Sequence, residues 1–252
     1  MPPITLHMVL ARKVASELAF EELVGNAGPY LLGATSPDIR VLTRQSRFST
    51  HFFDLEGDDH QNSVSAFLGS HKALSDPGKL TPSTRSWVAG YLGHLAMDQH
   101  YITAVYRPFF ATHEQLGGTI RANVMDRLLQ FDLDRAHGSD PSVRQDLAAA
   151  LGGAVEGVEC GFIDAETLDR WRRLALDVSQ RDMDWDRMRA MISNHLRMVG
   201  VDEEAALRRF LDSLPELLDE TVAHVTSDEI DGFVQRATDI ARQAVVEYLG
   251  CE

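Results

Sequence analysis

The stretch Trp87-Val-Ala-Gly-Tyr-Leu-Gly-His-Leu-Ala-Met-Asp-Gln-His-Tyr101 constrains the fold of this chain more than any other. Wound as a helix, it places Trp87, Tyr91, His94, Asp98, Tyr101 and Val105 on one face, because they recur at alternating spacings of 4 and 3. An imidazole and a carboxylate then lie one turn apart on a largely apolar stripe. A buried polar group without a partner costs about 1–3 kcal/mol, and a charge more, so the fold must supply partners. A metal ion would do so, and so would an ordinary His–Asp hydrogen bond. Val88, Leu92, Leu95 and Ile102 form a second apolar flank, which predicts a central helix. Trp87, Tyr91 and Tyr101 read as core, and Gly90 and Gly93 as places where a neighbour can approach.

Helical signals repeat on both sides of this stretch. Residues from about 5 to 24 read as an amphipathic helix capped by Thr5, with His7, Ala11, Val14 and Leu18 on one face. The apolar run after Gly28-Pro29 breaks into a turn at Pro37-Asp38, where the fixed proline backbone can aim a carboxylate inward. Residues 39 to 60 lack a clean period and read as an irregular loop or short helical turns. There Phe52 and Phe53 can carry His51 inward, while His60, after Asp58 and Asp59, reads as solvated. Thr81-Pro82 is a cap followed by a proline at the first helical position, and starts the central helix, which is expected to end near Pro108.

Further helices are expected over about 61–75, 114–135, 141–152, 164–179, 183–198, 202–223 and 227–249. Thr226-Ser-Asp-Glu229 gives the last one a capping box. No β-alternation or long repeat interrupts the pattern, so the fold class is all-α, a multi-helix bundle. Gly152-Gly153, with Gly157 and Gly161, is the weakest point and separates a first part, about 1–135, from a C-terminal part, about 140–252, of one domain.

Charge limits the partners. With 38 acidic against 24 basic residues, a formal −14, binding to a nucleic-acid backbone or an anionic membrane is disfavoured. Only Cys160 and Cys251 are present, which excludes a disulfide framework and a cysteine-rich zinc site, so any metal is held by nitrogen and oxygen. No signal-peptide pattern opens the chain and no apolar run is long enough to span a bilayer, and we expect a cytoplasmic protein of open oligomeric state.

His7, Asp38, His51, His94 and Asp98 supply the imidazoles and carboxylates, from several elements, that such a metal site needs. The i,i+4 spacing of His94 and Asp98 lets both reach one ion. On the residues alone, a structural hydrogen bond explains that pair as well as a metal does. His137 and His224 read as surface residues, His195 as structural, Met183, Met188, Met191 and Met198 as gap-filling core, and Asp202-Glu-Glu204 as a solvated helix start.

Taken in order, His7, then Gly33-Ala-Thr-Ser-Pro37-Asp38, His51-Phe52 and Gly90-Tyr-Leu-Gly-His94-Leu-Ala-Met-Asp98 resemble the zinc-dependent phospholipase C family, whose fold is similar to that of S1/P1-type nucleases. The resemblance covers about residues 5–106, with a continuation to about 135. It implies an all-helical domain holding two or three zinc ions that hydrolyse phosphodiesters. Asp38, His51, His94 and Asp98 would surround one ion, and Asp98 would bridge to a second held partly by His7. In secreted relatives the freed amino terminus joins that second site. The family's remaining site takes a histidine shortly after the Asp of the central helix and a His-x-x-x-Glu pair on the next helix. Here Ala104 stands near the first position, His100 and His113 are the nearest alternatives, and Asp126 with Gln130 stands for the pair, so that site is altered or absent.

The expected function is therefore a metal-dependent hydrolase of phosphoric esters working through a metal-activated water. Asp38 would orient or deprotonate the water, and Arg40 or Arg107 would pair with phosphate. The substrate is expected to be a small phosphoester or phospholipid-derived molecule, with nucleic acid disfavoured. Zinc is the family's metal, while the ligand chemistry also accepts iron, manganese or nickel. Two rival readings stand beside it, an S1/P1-like nuclease and a non-catalytic helical interaction protein with a structural metal or none.

Overall fold

The computed structural model describes residues 3–55, 57, 60–182, 184–201 and 203–250. Readings that fall on Met1, Pro2, Asp58, Asp59, Met183, Asp202 and Cys251 lie outside the described residues. Among the described residues there are fourteen α-helices and no strand, an all-α bundle. No helix is long and apolar enough to cross a membrane.

The centre is the helix Pro82–Tyr101, the seventh in the chain. Thr81 caps it by accepting the Thr84 N–H at 3.2 Å, and Pro82 fills the first turn, as the sequence predicts. From Ser86 to Asp98 every residue is buried, so other helices enclose this one on all sides. Before it come α1 (Ile4–Leu18), α2 (Glu21–Gly25), α3 (Ala27–Gly33), α4 (Arg40–Thr43), α5 (Arg47–His51) and α6 (Ser63–Ser70), then α7 itself. After it come α8 (Thr119–Gly138), α9 (Pro141–Leu151), α10 (Ala165–Gln180), α11 (Trp185–Met198), α12 (Glu204–Asp212), α13 (Leu214–Val225) and α14 (Ser227–Leu249). α3 and α14 make the main packing contacts of α7, and one apolar cluster runs from Leu6 of α1 to Tyr248 of α14.

Several boundaries differ from the sequence expectation, each for a local reason. α1 stops at Leu18 because Ala19 turns left-handed and returns its N–H to the Ala15 carbonyl. Thr5 lies inside α1 rather than capping it, and the Asp134 carboxylate of α8 accepts the Leu6 N–H at 3.0 Å instead. The expected 202–223 helix divides into α12 and α13, with Pro215 in the first turn of the second. α7 passes directly into a π-helix, Ile102–Phe110, which contains Pro108. Of the described methionines of α11, only Met188 is buried, since it shares the 3.6-residue stripe with Ile192 and Leu196, whereas Met191 and Met198 lie off it and are exposed. The glycine-rich segment after α9 is tied down, because the Gly157 carbonyl accepts the hydroxyls of Thr81 (2.9 Å) and Thr84 (3.2 Å).

α3 crosses α7 at two glycines. A Cβ on Gly33 would lie 1.9 Å from the Trp87 carbonyl oxygen, and one on Gly90 would lie 2.0 Å from that of Tyr30. Gly93 differs, since its nearest neighbours are side-chain carbons at 3.7 and 3.8 Å. Gly90→Ala should therefore lower the unfolding free energy by about 3 kcal/mol or more through overpacking against backbone. Gly93→Ala should be neutral or stabilising by up to about 1 kcal/mol through helix propensity. Urea denaturation of the two variants checks the contrast, and equal effects would refute the crossing.

The trans-cap carries a pH signature. Burial pushes the Asp134 carboxyl up to about 6, although the Leu6 N–H opposes the shift. The folded state thus holds this proton more tightly than the unfolded chain, so stability is greatest below about pH 4 and falls as pH rises through about 6. Asp134→Asn keeps an acceptor for Leu6 and should flatten the pH 4–6.5 dependence of the denaturation midpoint, by on the order of 2–3 kcal/mol.

Candidate metal centre

Five side chains converge where α1, α5, α7 and the turn after α3 meet. His7 comes from α1, His51 from the end of α5, His94 and Asp98 from successive turns of α7, and Asp38 from the 3₁₀ turn Ser36–Ile39. The three imidazoles and Asp98 are at most 1 % exposed, and Asp38 is 8 % exposed.

The core aromatics of α7 place the two irregular segments. Trp87 Nε1 donates to Ser36 Oγ at 3.1 Å, which pins the turn carrying Asp38. Tyr91 donates its hydroxyl to the Thr50 carbonyl at 2.7 Å, which pins the end of α5 beside His51. Both rings are fully buried, as expected for core, and each also holds a site loop.

Hydrogen bonding sets the tautomers. His94 Nδ1 lies 2.8 Å from the Ala34 carbonyl oxygen, which can only accept, so Nδ1 carries the proton and Nε2 the lone pair. Thr50 Oγ1 donates to the Arg47 carbonyl at 3.2 Å and lies 2.9 Å from His51 Nδ1, which makes that nitrogen a donor and turns His51 Nε2 toward the two carboxylates. His7 stacks on His94 with ring centroids 3.7 Å apart. Among the described residues, both nitrogens of His7, Nε2 of His51 and His94, and Oδ1 of Asp98 are buried without a hydrogen-bond partner.

A neutral imidazole keeps a proton on one nitrogen, so a bound cation would satisfy one nitrogen of His7 together with Nε2 of His51 and His94 and Oδ1 of Asp98. Ligand atoms of His7, His94 and Asp98 lie within 4.8 Å of one another, as do those of Asp38, His51 and His94. His51 Nε2 stands 3.5 Å from Asp38 Oδ1 and 3.6 Å from Asp98 Oδ2. Ligands about 2.1 Å from a tetrahedral ion are separated by about 3.4 Å, so these spacings suit a shared divalent ion. Protonation states agree. Burial, and then the neighbouring His94, push His7 well below the ordinary imidazole range, and burial lowers His94. Burial alone would raise both carboxyls, but the Arg47 guanidinium and then His51 and His94 bring Asp98 far below its usual range, and His51, His94 and His7 lower Asp38. For His7 and His94 the neutral imidazole, and for the two aspartates the ionised carboxylate, is the metal-binding form. The two triads share His94, whose one lone pair can serve one ion.

The pattern of His and Asp did not reveal Arg47. Its guanidinium pairs with Asp98 Oδ2 and also donates to the Phe53 carbonyl at 2.8 Å. Its only mark in the sequence is its position four residues before His51, one turn away on α5.

The outlying candidates separate. Tyr101 donates to Asp126 Oδ1 and Gln130 Nε2 to Oδ2, both at 2.7 Å, so both oxygens of Asp126 are engaged away from the cluster. Asp126, Gln130 and Arg40 line a cleft of about 430 Å³ that also reaches Asp38 and Arg47. His100, His113 and Arg107 are not among its lining residues. His100 stacks on Phe233, and His113 lies in the turn before α8 beside Thr119. Arg107, expected on a phosphate, holds the carbonyls of Asp54 (3.3 Å), Leu55 (3.1 Å) and Gly57 (2.7 Å).

Comparison with known protein families, curated proteins and solved structures finds no match.

The Arg47–Asp98 pair is 13 % and 2 % exposed, so removing one partner strands a buried charge. Arg47→Met should destabilise the metal-free protein by about 3–5 kcal/mol. The double variant Arg47→Met/Asp98→Asn should recover much of that loss, as chemical denaturation of the four-member cycle would show. Additive losses would contradict the pairing.

Proposed function

We propose that the cluster holds a divalent metal ion, zinc in the first instance, and that the protein is a metal-dependent hydrolase of small phosphoric esters. The observation that carries this reading is the shared boundary: Asp38 and Arg47 belong to the His/Asp cluster and also line the cleft. A buried structural site would need no such opening. When bound, the ion would supply Lewis acidity and a water of lowered pKa.

The chain's own residues have separable roles in this reading. His7, His51, His94 and Asp98 hold the ion, with Ala34 and Thr50 fixing the rotation of two rings. Asp38 is the most exposed of the five and the one that reaches the cleft, so it can orient a water or accept its proton. Arg47 keeps Asp98 ionised and offers a guanidinium at the boundary, where phosphoryl oxygens would arrive. A nuclease is disfavoured by the net charge of −14 and by a cleft of small-molecule size. A non-catalytic protein with a structural ion is the second reading, favoured by the near-complete burial of all three imidazoles.

Elemental analysis of purified protein should give about one metal per chain, lost in His94→Ala. With metal present, p-nitrophenyl phosphomonoesters or phosphodiesters should be hydrolysed, and Asp38→Asn should lower kcat about 10²- to 10⁴-fold while the metal stays bound. No metal in the wild type would sink both readings, and metal without turnover on any phosphoester would leave the structural one.

A further inference from the structure

We infer that the cleft is an anion-binding site built from Arg40, Arg127 and Arg187, and that its ligand carries a second, non-reacting anionic group besides the phosphoester. The phosphoester half rests on the function proposed above, whereas the anion site rests on the cleft alone. The three arginines come from α4, α8 and α11, widely separated in sequence, yet all line one cleft.

Their lack of partners is the informative feature. Each is partly buried, and among the described residues none makes an ion pair or a side-chain hydrogen bond, with Arg40 Nε fully enclosed and unpartnered. Arg85, Arg121, Arg144 and Arg172 are similarly half-buried and each is paired with an acid, whereas Arg189 of α11, outside the cleft, is half-buried with its Nε unpartnered. In a chain with 38 acidic residues, pairing is the easy outcome, so three unpaired guanidiniums in one cleft mark a charge left for a ligand.

Among the described residues the carboxylates of the cleft make no ion pair with them. Asp126 has both oxygens engaged by Tyr101 and Gln130. Asp134 caps α1 through Leu6 and reaches Arg187 only as a longer-range charge. Asp38 faces the imidazoles.

Guanidinium forks suit planar carboxylates and phosphates, which they bind in bidentate fashion. Arg40 follows Asp38 by two residues and so stands at the cluster end, while α8 and α11, which pack together, bring Arg127 and Arg187. Tyr106 and Phe131 also line the cleft, and about 430 Å³ suits a small molecule. The ligand class is therefore a small phosphoester on an apolar or aromatic body with a further carboxylate or phosphate.

The test uses the full-length, metal-loaded protein and three non-hydrolysable probes in calorimetric titration: phenylphosphonate, 4-carboxyphenylphosphonate and benzene-1,4-diphosphonate. Wild-type protein should bind at least one doubly anionic probe about tenfold tighter or more than phenylphosphonate, the scale of one charge-assisted hydrogen bond. The arm that gains more tells carboxylate from phosphate. In Arg127→Gln/Arg187→Gln that gain should fall below about threefold with metal content unchanged, whereas Arg127→Lys/Arg187→Lys should keep part of it. Arg127→Gln and Arg187→Gln as single variants should each lower the gain, and serve should the paired glutamine variant not fold. Equal affinity for all three probes in the wild type, or a gain that survives these substitutions, overturns the inference. Bound metal without the gain would remove the anion site and leave the proposed hydrolase intact, whereas the gain without bound metal would do the reverse.

Discussion

Desolvation of Asp98 is the constraint on which the site depends. A carboxylate 1 % exposed on the central helix is stable only if cationic or donor groups surround it, and Arg47 is the cation that the fold brings there. That pair, together with the hydrogen bond from the Tyr91 hydroxyl to the Thr50 carbonyl, joins α5 to α7 and so positions His51, which follows Arg47 by one helical turn. α5 is a five-residue helix that depends on such tertiary ties to stay docked, because so short a segment has no stability of its own. The ion pair therefore organises the cluster rather than decorating it. It also leaves Asp98 Oδ1 open, so one oxygen is neutralised by the protein and the other is left for a further partner.

The remaining geometry follows from how closely α3 lies on α7. Backbone contact at Gly33 and Gly90 brings the end of α3 within reach, and the Ala34 carbonyl can then fix the His94 ring. The same approach places Ser36 under Trp87 and sets Asp38 one residue beyond Pro37. Two glycines, one indole and one phenol thus determine where the carboxylate and the second imidazole stand. Here core packing and site assembly are one process, since every anchoring donor sits on a residue that also fills the core.

What the sequence made legible was whatever depends on periodicity and caps. The all-α class, the start of α7 at Thr81-Pro82 and the full span of α14 follow from local rules that tertiary contacts do not override. Residue type alone offered His7, Asp38, His51, His94 and Asp98 only as candidates, and it was the family resemblance that implied their grouping. Arg47, the trans-cap from Asp134 and the tethering of Arg107 to loop carbonyls were not legible, because each depends on which elements meet in space. The splitting of the first helix at Ala19 was equally hidden, since an alanine carries no signal for a left-handed turn.

Charge distribution links the cluster to its surroundings. A formal −14 over the chain argues against polyanionic partners, yet four arginines, Arg47 of the ion pair among them, line a cleft that touches the cluster. Net charge governs long-range encounter, whereas recognition is set within a Debye length, about 8 Å in physiological salt, by the groups lining the site. A small anion entering between Asp38 and Arg47 would meet guanidinium on the cleft side and, in the proposed reading, a divalent ion on the other. The acidic exterior would then act against large polyanions while the interior stays attractive to small ones. Selectivity of that kind needs no additional element, because it follows from placing the unpaired arginines inside a cleft too small for a polymer.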